Sequence, residues 1–306
     1  MAAPGKQVDL DAVYVHDRAE MQRIRALHPW RQDPHHFKYV KVSALALLKM
    51  VMHACSGGRL EVMGILQGRV TANTFIIMDS FALPVEGTET RVNAGDQANA
   101  YMAQYHEMSH SLGRPEDVVG WYHSHPGYGC WMSGIDVRTQ TLNQMLDPYL
   151  AIVVDPVRTI SSGRVEIGAF RCYPEGYKPP EFVQEYQSVP THKMEDFGAH
   201  ADRYYKLETT FFKSSTDNRM LDLLWNKYWV NTLSSSPLMA NRDYFSQQVE
   251  DVAAKLDGID LQARFTSKRE YNPFKDVKKD GSKSAMEHLS GLMNQVMKHS
   301  LFNFAS

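Results

Sequence analysis

The segment from Trp121 to Asp136 constrains the fold most strongly, because it prescribes a strand, a turn and a helix in that order. His123 and His125 stand two residues apart, and strand side chains at this spacing point to the same side. Pro126 ends the strand, and the glycine-rich residues 127–129 reverse the chain. The sequence therefore predicts two imidazoles side by side at the end of a strand.

A carboxylate is expected to join these imidazoles. Ser133 begins the helix after the turn, and Asp136, its third residue, can point back toward the histidines. Two imidazole nitrogens and one carboxylate oxygen leave a position open for water, as in catalytic zinc sites, whereas structural zinc usually has four protein ligands. We therefore expect one Zn²⁺ per chain, with His123, His125 and Asp136 as its ligands.

Hydrolysis at such a site also needs a base. Zinc lowers the pKa of a bound water from about 15.7 to about 7, but a proton must still pass to the leaving amine. Glu61 is the natural candidate, because a carboxylate in the apolar, strand-like segment Leu60 to Leu66 has few structural reasons to be there. Glu61 is far from His123 in the sequence, so only the fold can bring the two together.

Ser133 has two interpretations. Its hydroxyl can donate a hydrogen bond to the oxyanion that forms when a carbonyl is attacked. Alternatively, Ser133 and Asp136 are a capping box that satisfies free backbone donors at the start of a helix. An HxH pair alone is also weak evidence for a metal site, since strands carry such histidines without a metal. The complete pattern is more specific than either part.

The complete pattern, HxHx(7)Sx(2)D with an upstream glutamate, resembles the JAMM (MPN+) zinc metalloprotease family. Members of that family hydrolyse isopeptide bonds between ubiquitin-like modifiers and lysines. The match is complete at the two proposed catalytic residues and the three proposed ligands, which are Glu61, Ser133, His123, His125 and Asp136. The resemblance implies a zinc metallo-isopeptidase.

Three longer segments narrow the resemblance to the catalytic subunits of the COP9 signalosome: Gly120 to Asp136, Glu86 to Ala94 (EGTETRVNA) and Leu224 to Ser236. This resemblance implies removal of a Nedd-type modifier from cullins, and so regulation of cullin-RING ubiquitin ligases. It also implies a sister MPN subunit without metal ligands, further signalosome subunits as partners, and a location in cytoplasm and nucleus.

Two other functions stay open. A deubiquitinase of the proteasome-lid type shares the HSHPG core, but is not expected to carry the other two segments. A non-enzymatic MPN scaffold keeps the fold and loses ligands, whereas every ligand is present here.

Glu89 and Arg91 lie in a polar loop, Glu86 to Arg91, and plain solvent exposure is one interpretation. The other is regulatory. In that hypothesis the Glu89 carboxylate occupies the open zinc position, Arg91 holds the loop in one state, and a partner releases it.

The fold class predicted is α/β: an MPN (JAMM) domain with a mixed β-sheet flanked by helices, followed by a mainly α-helical region. We expect an N-terminal arm over residues 1–38, the catalytic domain over 39–175, and a linker with assembly helices over 176–306. In the domain, helices are predicted at Val42–His53, Ala94–Leu112 and Ser133–Leu146, and strands at Leu60–Leu66, Phe75–Val85, Val118–Tyr122, Tyr149–Val154 and Val165–Tyr173.

Beyond residue 175 no strand is expected. Helices are predicted at Gly198–Phe212, Met220–Thr232, Asp243–Leu256 and Ser284–Phe302, and a mobile connector at Lys268–Lys283. The apolar face of the last helix suits either this chain's own core or a partner subunit.

Composition excludes several classes of protein. The 33 Lys and Arg against 35 Asp and Glu give a net charge of −2, which argues against binding nucleic acid. No apolar stretch approaches the roughly 20 residues of a membrane span. The three cysteines are too few and too widely spaced for a disulfide framework or a Cys-only metal site. We expect a soluble intracellular protein without nucleic-acid or membrane partners.

Overall fold

A closed β-barrel stands at the centre of the computed structural model, which describes residues 11–15, 18–84, 96–114, 116–146, 148–180, 186–234, 241–265 and 273–303. The strands within these ranges are β1 (Tyr39–Ser43), β2 (Met63–Thr71), β3 (Thr74–Ala82), β4 (Asp117–Ser124), β5 (Leu150–Asp155), β6 (Glu166–Cys172) and β7 (Tyr204–Phe212). Their order around the barrel is β1-β3-β2-β4-β5-β6-β7, and β7 pairs with β1 to close it.

The sheet is mixed, as predicted. β1 runs parallel to both β3 and β7, and β4 runs parallel to β5, while the other neighbours are antiparallel. The strands predicted at Leu60–Leu66 and Phe75–Val85 correspond to β2 and β3, which form an antiparallel hairpin joined at Ala72 and Asn73.

Helices surround the barrel. Those described are α1 (Arg18–Leu27), α2 (Ala44–Ser56), α3 (Asp96–Ser111), α4 (Gly134–Asn143), α5 (Pro156–Ser162), α6 (Met194–His200), α7 (Ser215–Ser234), α8 (Arg242–Phe265) and α9 (Pro273–Asn303). Ser43 is the N-cap of α2, because its side chain accepts a hydrogen bond from the amide of Ala46 at 3.0 Å.

Both faces of the central strands are buried. Along β5, Leu150, Ile152 and Val154 join one apolar cluster, and Ala151 and Val153 join a second one. The second cluster also contains Trp121 of β4 and residues of α3 and α4. Because strand side chains alternate, His123 lies on the same face as Trp121, and the side of the barrel toward α4 is where the site forms.

Two predictions beyond residue 175 are wrong. The segment predicted as the helix Gly198–Phe212 contains strand β7, in which Leu207 is the buried apolar residue. Backbone pairing with β1 and β6 makes it a strand, in which Leu207 is buried between the exposed Lys206 and Glu208. The barrel thus uses chain on both sides of the predicted boundary at residue 175, and that boundary stays a prediction.

The predicted connector Lys268–Lys283 is helical from Pro273 onward, within α9. An ion pair between Lys255 and Asp280, at 2.7 Å, joins α8 to this part of α9. Lysine is also a good helix former, so a charged run is compatible with a helix. α9 packs against α8 and α5. None of the helices described has both the length and the apolar character needed to cross a membrane.

Candidate metal centre

Three buried side chains converge at the end of β4. The Nε2 atoms of His123 and His125 are 3.0 Å apart, and they lie 3.3 Å and 3.6 Å from Oδ2 of Asp136. The rings are not parallel but at 67° to each other, so both nitrogens face a common point. The structure thus brings together the three residues predicted as ligands.

The strand and its continuation position the two imidazoles. His123 is in β4, where its ring stacks on that of Trp121 at 4.7 Å. His125 follows the strand, and its amide donates a hydrogen bond to the carbonyl of Val154 at 2.9 Å, which continues the pairing with β5. Both rings are therefore fixed by buried backbone and packed side chains.

The ring of His125 is oriented by a second contact. Its Nδ1 lies 3.0 Å from the carbonyl oxygen of Gly129, which can only accept a hydrogen bond. The proton of His125 is thereby assigned to Nδ1, and Nε2 keeps a free lone pair toward Asp136. His123 Nδ1 is buried and has no hydrogen-bond partner in the described part of the chain.

Asp136 is held by the start of α4. Its Oδ2 accepts hydrogen bonds from the Ser133 amide at 2.8 Å and from the Ser133 hydroxyl at 2.6 Å. The Asp136 amide in turn faces Ser133 Oγ at 3.3 Å, which completes a capping box. The capping interpretation of Ser133 is thus present in the structure, while its catalytic role stays a prediction.

Electrostatics favour a cation between these groups. Burial opposes a charge on His123, but the carboxylates of Asp136 and Glu61 outweigh it and raise the pKa of His123. Burial likewise works against the charge of Asp136, yet His123 and His125 hold the pKa of Asp136 well below its usual range. Asp136 and His123 therefore stabilise each other's charged forms.

Glu61 is predicted to lie in the strand Leu60–Leu66, but the observed strand β2 begins two residues after it. Its side chain is buried. The hydroxyl of Tyr128 donates a hydrogen bond to its Oε1. Tyr128 also packs its ring on His125, with the ring centroids 4.5 Å apart. Tyr128 thus connects the predicted base to the predicted ligands, a role that sequence reasoning missed.

The turn that carries Tyr128 depends on Asp155, which sequence reasoning also missed. Gly127 and Gly129 have φ of 88° and 90°, a region that favours glycine. Their amides donate to the two carboxylate oxygens of Asp155, at 3.0 Å and 2.8 Å. In the sequence, the two glycines on either side of Tyr128 indicate a tight turn, and the amides of such a turn need a hydrogen-bond acceptor.

The donor set fits zinc. Ligands about 2.0–2.1 Å from a tetrahedral zinc lie about 3.3 Å from one another. The separations here are 3.0, 3.3 and 3.6 Å, and the set is two nitrogens and one oxygen. His123, His125 and Asp136 can therefore hold one such ion without further protein ligands.

Other residues near the site are better explained by packing. Cys130 is buried, and burial raises the pKa of its thiol well above the usual range, so it is a poor nucleophile. A groove of about 940 Å³ adjoins Tyr128 and α8, but none of the three ligands lines it. The site is therefore identified by its chemistry and not by its volume.

Glu89 and Arg91, the residues of the regulatory hypothesis, lie outside the described residues.

Comparison with known proteins agrees with this geometry. Residues 35–149 match the family described as JAB1/Mov34/MPN/PAD-1 ubiquitin protease, and this range contains all five proposed site residues. Residues 234–303 match the Cop9 signalosome subunit 5 C-terminal domain. The two matches together cover the barrel's site and the last two helices.

Similarity to curated proteins extends over nearly the whole chain. A Dictyostelium discoideum protein named COP9 signalosome complex subunit 5 is 57% identical over 304 residues, which are 97% of this chain and 92% of that protein. The protein of that name from Oryza sativa subsp. japonica is 55% identical over 96% of this chain and 85% of its own length. The Drosophila melanogaster protein of the same name is 54% identical over 96% of this chain and 91% of its own length.

Proposed function

The chain belongs to the COP9 signalosome subunit 5 family, and from this premise we propose that it is a zinc-dependent isopeptidase that removes a Nedd-type modifier from cullin lysines. Acting as a subunit of the signalosome, it would regulate cullin-RING ubiquitin ligases in cytoplasm and nucleus. The observation that carries this proposal is the convergence of two imidazole nitrogens and one carboxylate oxygen within 3.0 to 3.6 Å.

His123, His125 and Asp136 would hold the zinc. When bound, zinc supplies a water that is acidic near neutral pH and a Lewis acid for the scissile carbonyl. The protein's own contribution is to fix the ligands. The Gly129 carbonyl holds Nδ1 of His125, and Ser133 holds Oδ2 of Asp136, as expected where a ligand must not rotate away.

Glu61 would act as general base and then as general acid. Tyr128 occupies its Oε1, which leaves Oε2 as the oxygen that accepts the proton of the attacking water. The same oxygen returns the proton to the lysine nitrogen as the isopeptide C–N bond breaks. Burial of Glu61 supports this role, since a buried carboxylate exchanges protons with its neighbours rather than with bulk water.

Ser133 would stabilise the oxyanion. Its hydroxyl now donates to Asp136 Oδ2, and in the reaction it would turn toward the substrate oxygen, while its amide continues to hold Asp136. The capping box and the catalytic role are then successive uses of one side chain.

The C-terminal helices would join the signalosome. One side of α9 packs on α5, where Ser290 donates to the carbonyl of Ser162 at 2.9 Å. A different side exposes apolar residues at helical spacing, which are Met286, Leu289, Met293, Val296 and Met297. An exposed apolar stripe of this kind supports packing against helices of partner subunits. A sister MPN subunit would bind elsewhere, on the MPN domain.

Turnover assays test the proposal. The isolated chain and the chain assembled with the other signalosome subunits are compared on a Nedd-linked cullin and on a ubiquitin-linked substrate, with zinc content measured in parallel. We expect close to one tightly bound zinc per chain and faster cleavage of the Nedd-linked substrate. Preference for the ubiquitin-linked substrate would instead indicate the deubiquitinase, and a chain without tightly bound zinc or turnover would indicate a scaffold.

A further inference from the structure

A second group of metal-ligating side chains lies on α3, away from the centre described above. His106 and His110 stand four residues apart on this helix, and their ring centroids are 4.4 Å apart. Asp117, the first residue of β4, lies beside them. One ligand atom from each residue falls within 4.8 Å of the other two. This arrangement is independent of the function proposed above.

The end of α3 brings the three residues together. The amide of Gly113 donates to the carbonyl of His110 at 3.0 Å, and the amide of Arg114 donates to that of Ser109 at 3.1 Å. Gly113 has φ of 77°, so the chain reverses there and enters β4 beside the last turn of the helix. Side chains at i and i+4 share a helix face, and that face meets Asp117.

The residue types and spacing are those of a metal site. The sequence His106-Glu107-Met108-Ser109-His110 has the H-E-x-x-H spacing that places two imidazoles on one side of a helix for zinc. The Nδ1 atom of His106 is buried and has no hydrogen-bond partner within the described ranges. Leaving a buried imidazole nitrogen without a partner costs free energy, and coordination to a metal ion would remove that cost.

The charged side chains around these residues would not prevent a cation from binding. Asp117 Oδ2 accepts a hydrogen bond from Arg25 of α1 at 2.7 Å, and the two side chains are 29% and 46% exposed. An ion pair this exposed contributes little, so the guanidinium can give way. Glu107 is exposed on the same helix.

We propose that His106, His110 and Asp117 form a second binding site, for a divalent transition-metal ion of the zinc class. The ion joins the last turn of α3 to the start of β4, the strand that carries His123. Water completes its coordination, because the site is partly exposed. The site binds metal and stabilises this part of the fold. Hydrolysis is not assigned to it, because Glu107 is exposed and Asp117 is shared with Arg25.

The test uses Zn²⁺ and Co²⁺ on the full chain carrying His123→Ala and Asp136→Asn, which removes the first centre. We expect one remaining equivalent of bound metal, a visible Co²⁺ spectrum with nitrogen ligands, and a higher melting temperature when Zn²⁺ is added. Adding His106→Ala and His110→Ala should abolish all three effects, whereas adding His192→Ala, an exposed histidine outside both groups, should leave them unchanged.

Two further variants keep the test decisive if the histidine changes disturb folding. Asp117→Asn retains the shape of the side chain and should weaken metal binding at least tenfold. Arg25→Ala removes the competing cation and should tighten it, an effect that a purely structural role of Arg25 would not produce. Binding that survives loss of both histidines, or no binding above that of a denatured chain, would overturn the proposal.

Discussion

The hydroxyl of Tyr128 donates a hydrogen bond to Oε1 of Glu61, and both groups are buried beside the predicted ligands. The bond joins the turn after β4 to the segment before β2, so the position of the proposed base depends on the conformation of that turn. Replacement of Tyr128 by Phe removes the bond and keeps the ring that packs on His125.

Tyr128→Phe is expected to lower kcat about tenfold, or about 1.4 kcal/mol, because a hydrogen bond to a charged group orients Glu61. Zinc content should not change. Steady-state kinetics with metal analysis measure both, and Tyr177→Phe, a tyrosine packed against His35 and Tyr173, is the matched control. A variant with unchanged kcat would show that the bond does not orient the base.

Glu61→Gln should keep bound zinc and lose turnover by a factor of about 10² to 10⁴, the usual contribution of a general base. The amide has nearly the shape of the carboxylate, but it cannot accept the proton of the attacking water. Turnover and zinc content are again measured together. Wild-type turnover in this variant would contradict the assignment of Glu61.

Removal of the metal should abolish turnover and lower stability. With a chelator, or with His123→Ala, we expect the melting temperature to fall by about 5 °C or more, because a ligand that binds only the folded state stabilises it. Scanning calorimetry before and after readdition of Zn²⁺ provides the measurement. An unchanged melting temperature would argue that the ligands do not hold a metal in the folded chain.

Ser133→Ala should lower kcat about 10²-fold, as expected when one oxyanion donor is lost. The lost N-cap should also reduce the free energy of unfolding by about 1 kcal/mol. Ser133→Thr retains a hydroxyl for both roles and serves as control. If Ser133→Ala changed stability alone, with full kcat, the capping box would be the complete explanation of this residue.

Asp251 predicts a pH dependence for the contact between α8 and the segment before α6. Burial works against the charge of Asp251, but hydrogen bonds from Lys255 and Thr191 hold its pKa below the ordinary value. A carboxylate whose pKa is lower in the folded state contributes stability above its unfolded pKa of about 4 and loses it as the pH falls.

Asp251→Asn should therefore reduce the free energy of unfolding at pH 7 by about 1 kcal/mol, since the group is partly exposed. The difference from wild type should shrink as the pH falls below about 4. Urea denaturation at a series of pH values measures it, with Glu250→Gln, an exposed neighbour, as control. A difference that is constant with pH would exclude the proposed ion pair as its cause.

Local sequence patterns predicted the part of the fold that carries the site. Helical spacing of apolar residues identified α2, and short runs rich in apolar and β-branched residues identified β2, β3, β4, β5 and β6. β7 was missed because Leu207 is the buried residue in a strand whose remaining side chains are partly or fully exposed. Its conformation is determined by pairing with β1, which is distant in sequence.

The site itself was predictable only in part. Ser133 and Asp136 are local neighbours of His125, and the regular geometry of a strand, a turn and a helix start brings them together. The contact of Glu61 with Tyr128 depends on how β2 and β4 pair, with Met63 opposite His123. No pattern within either segment encodes that register, so Tyr128 could not have been assigned its role from sequence.

The pairing of β1 with β7 has a consequence for biosynthesis. A ribosome must translate beyond Phe212 before the sheet can become continuous, although every proposed ligand is made by Asp136. Until then the nascent polypeptide exposes two unpaired strand edges, on β1 and β6, and such edges recruit other chains. A fragment that stops at residue 175 should therefore accumulate as insoluble aggregates, whereas one that includes β7 should not.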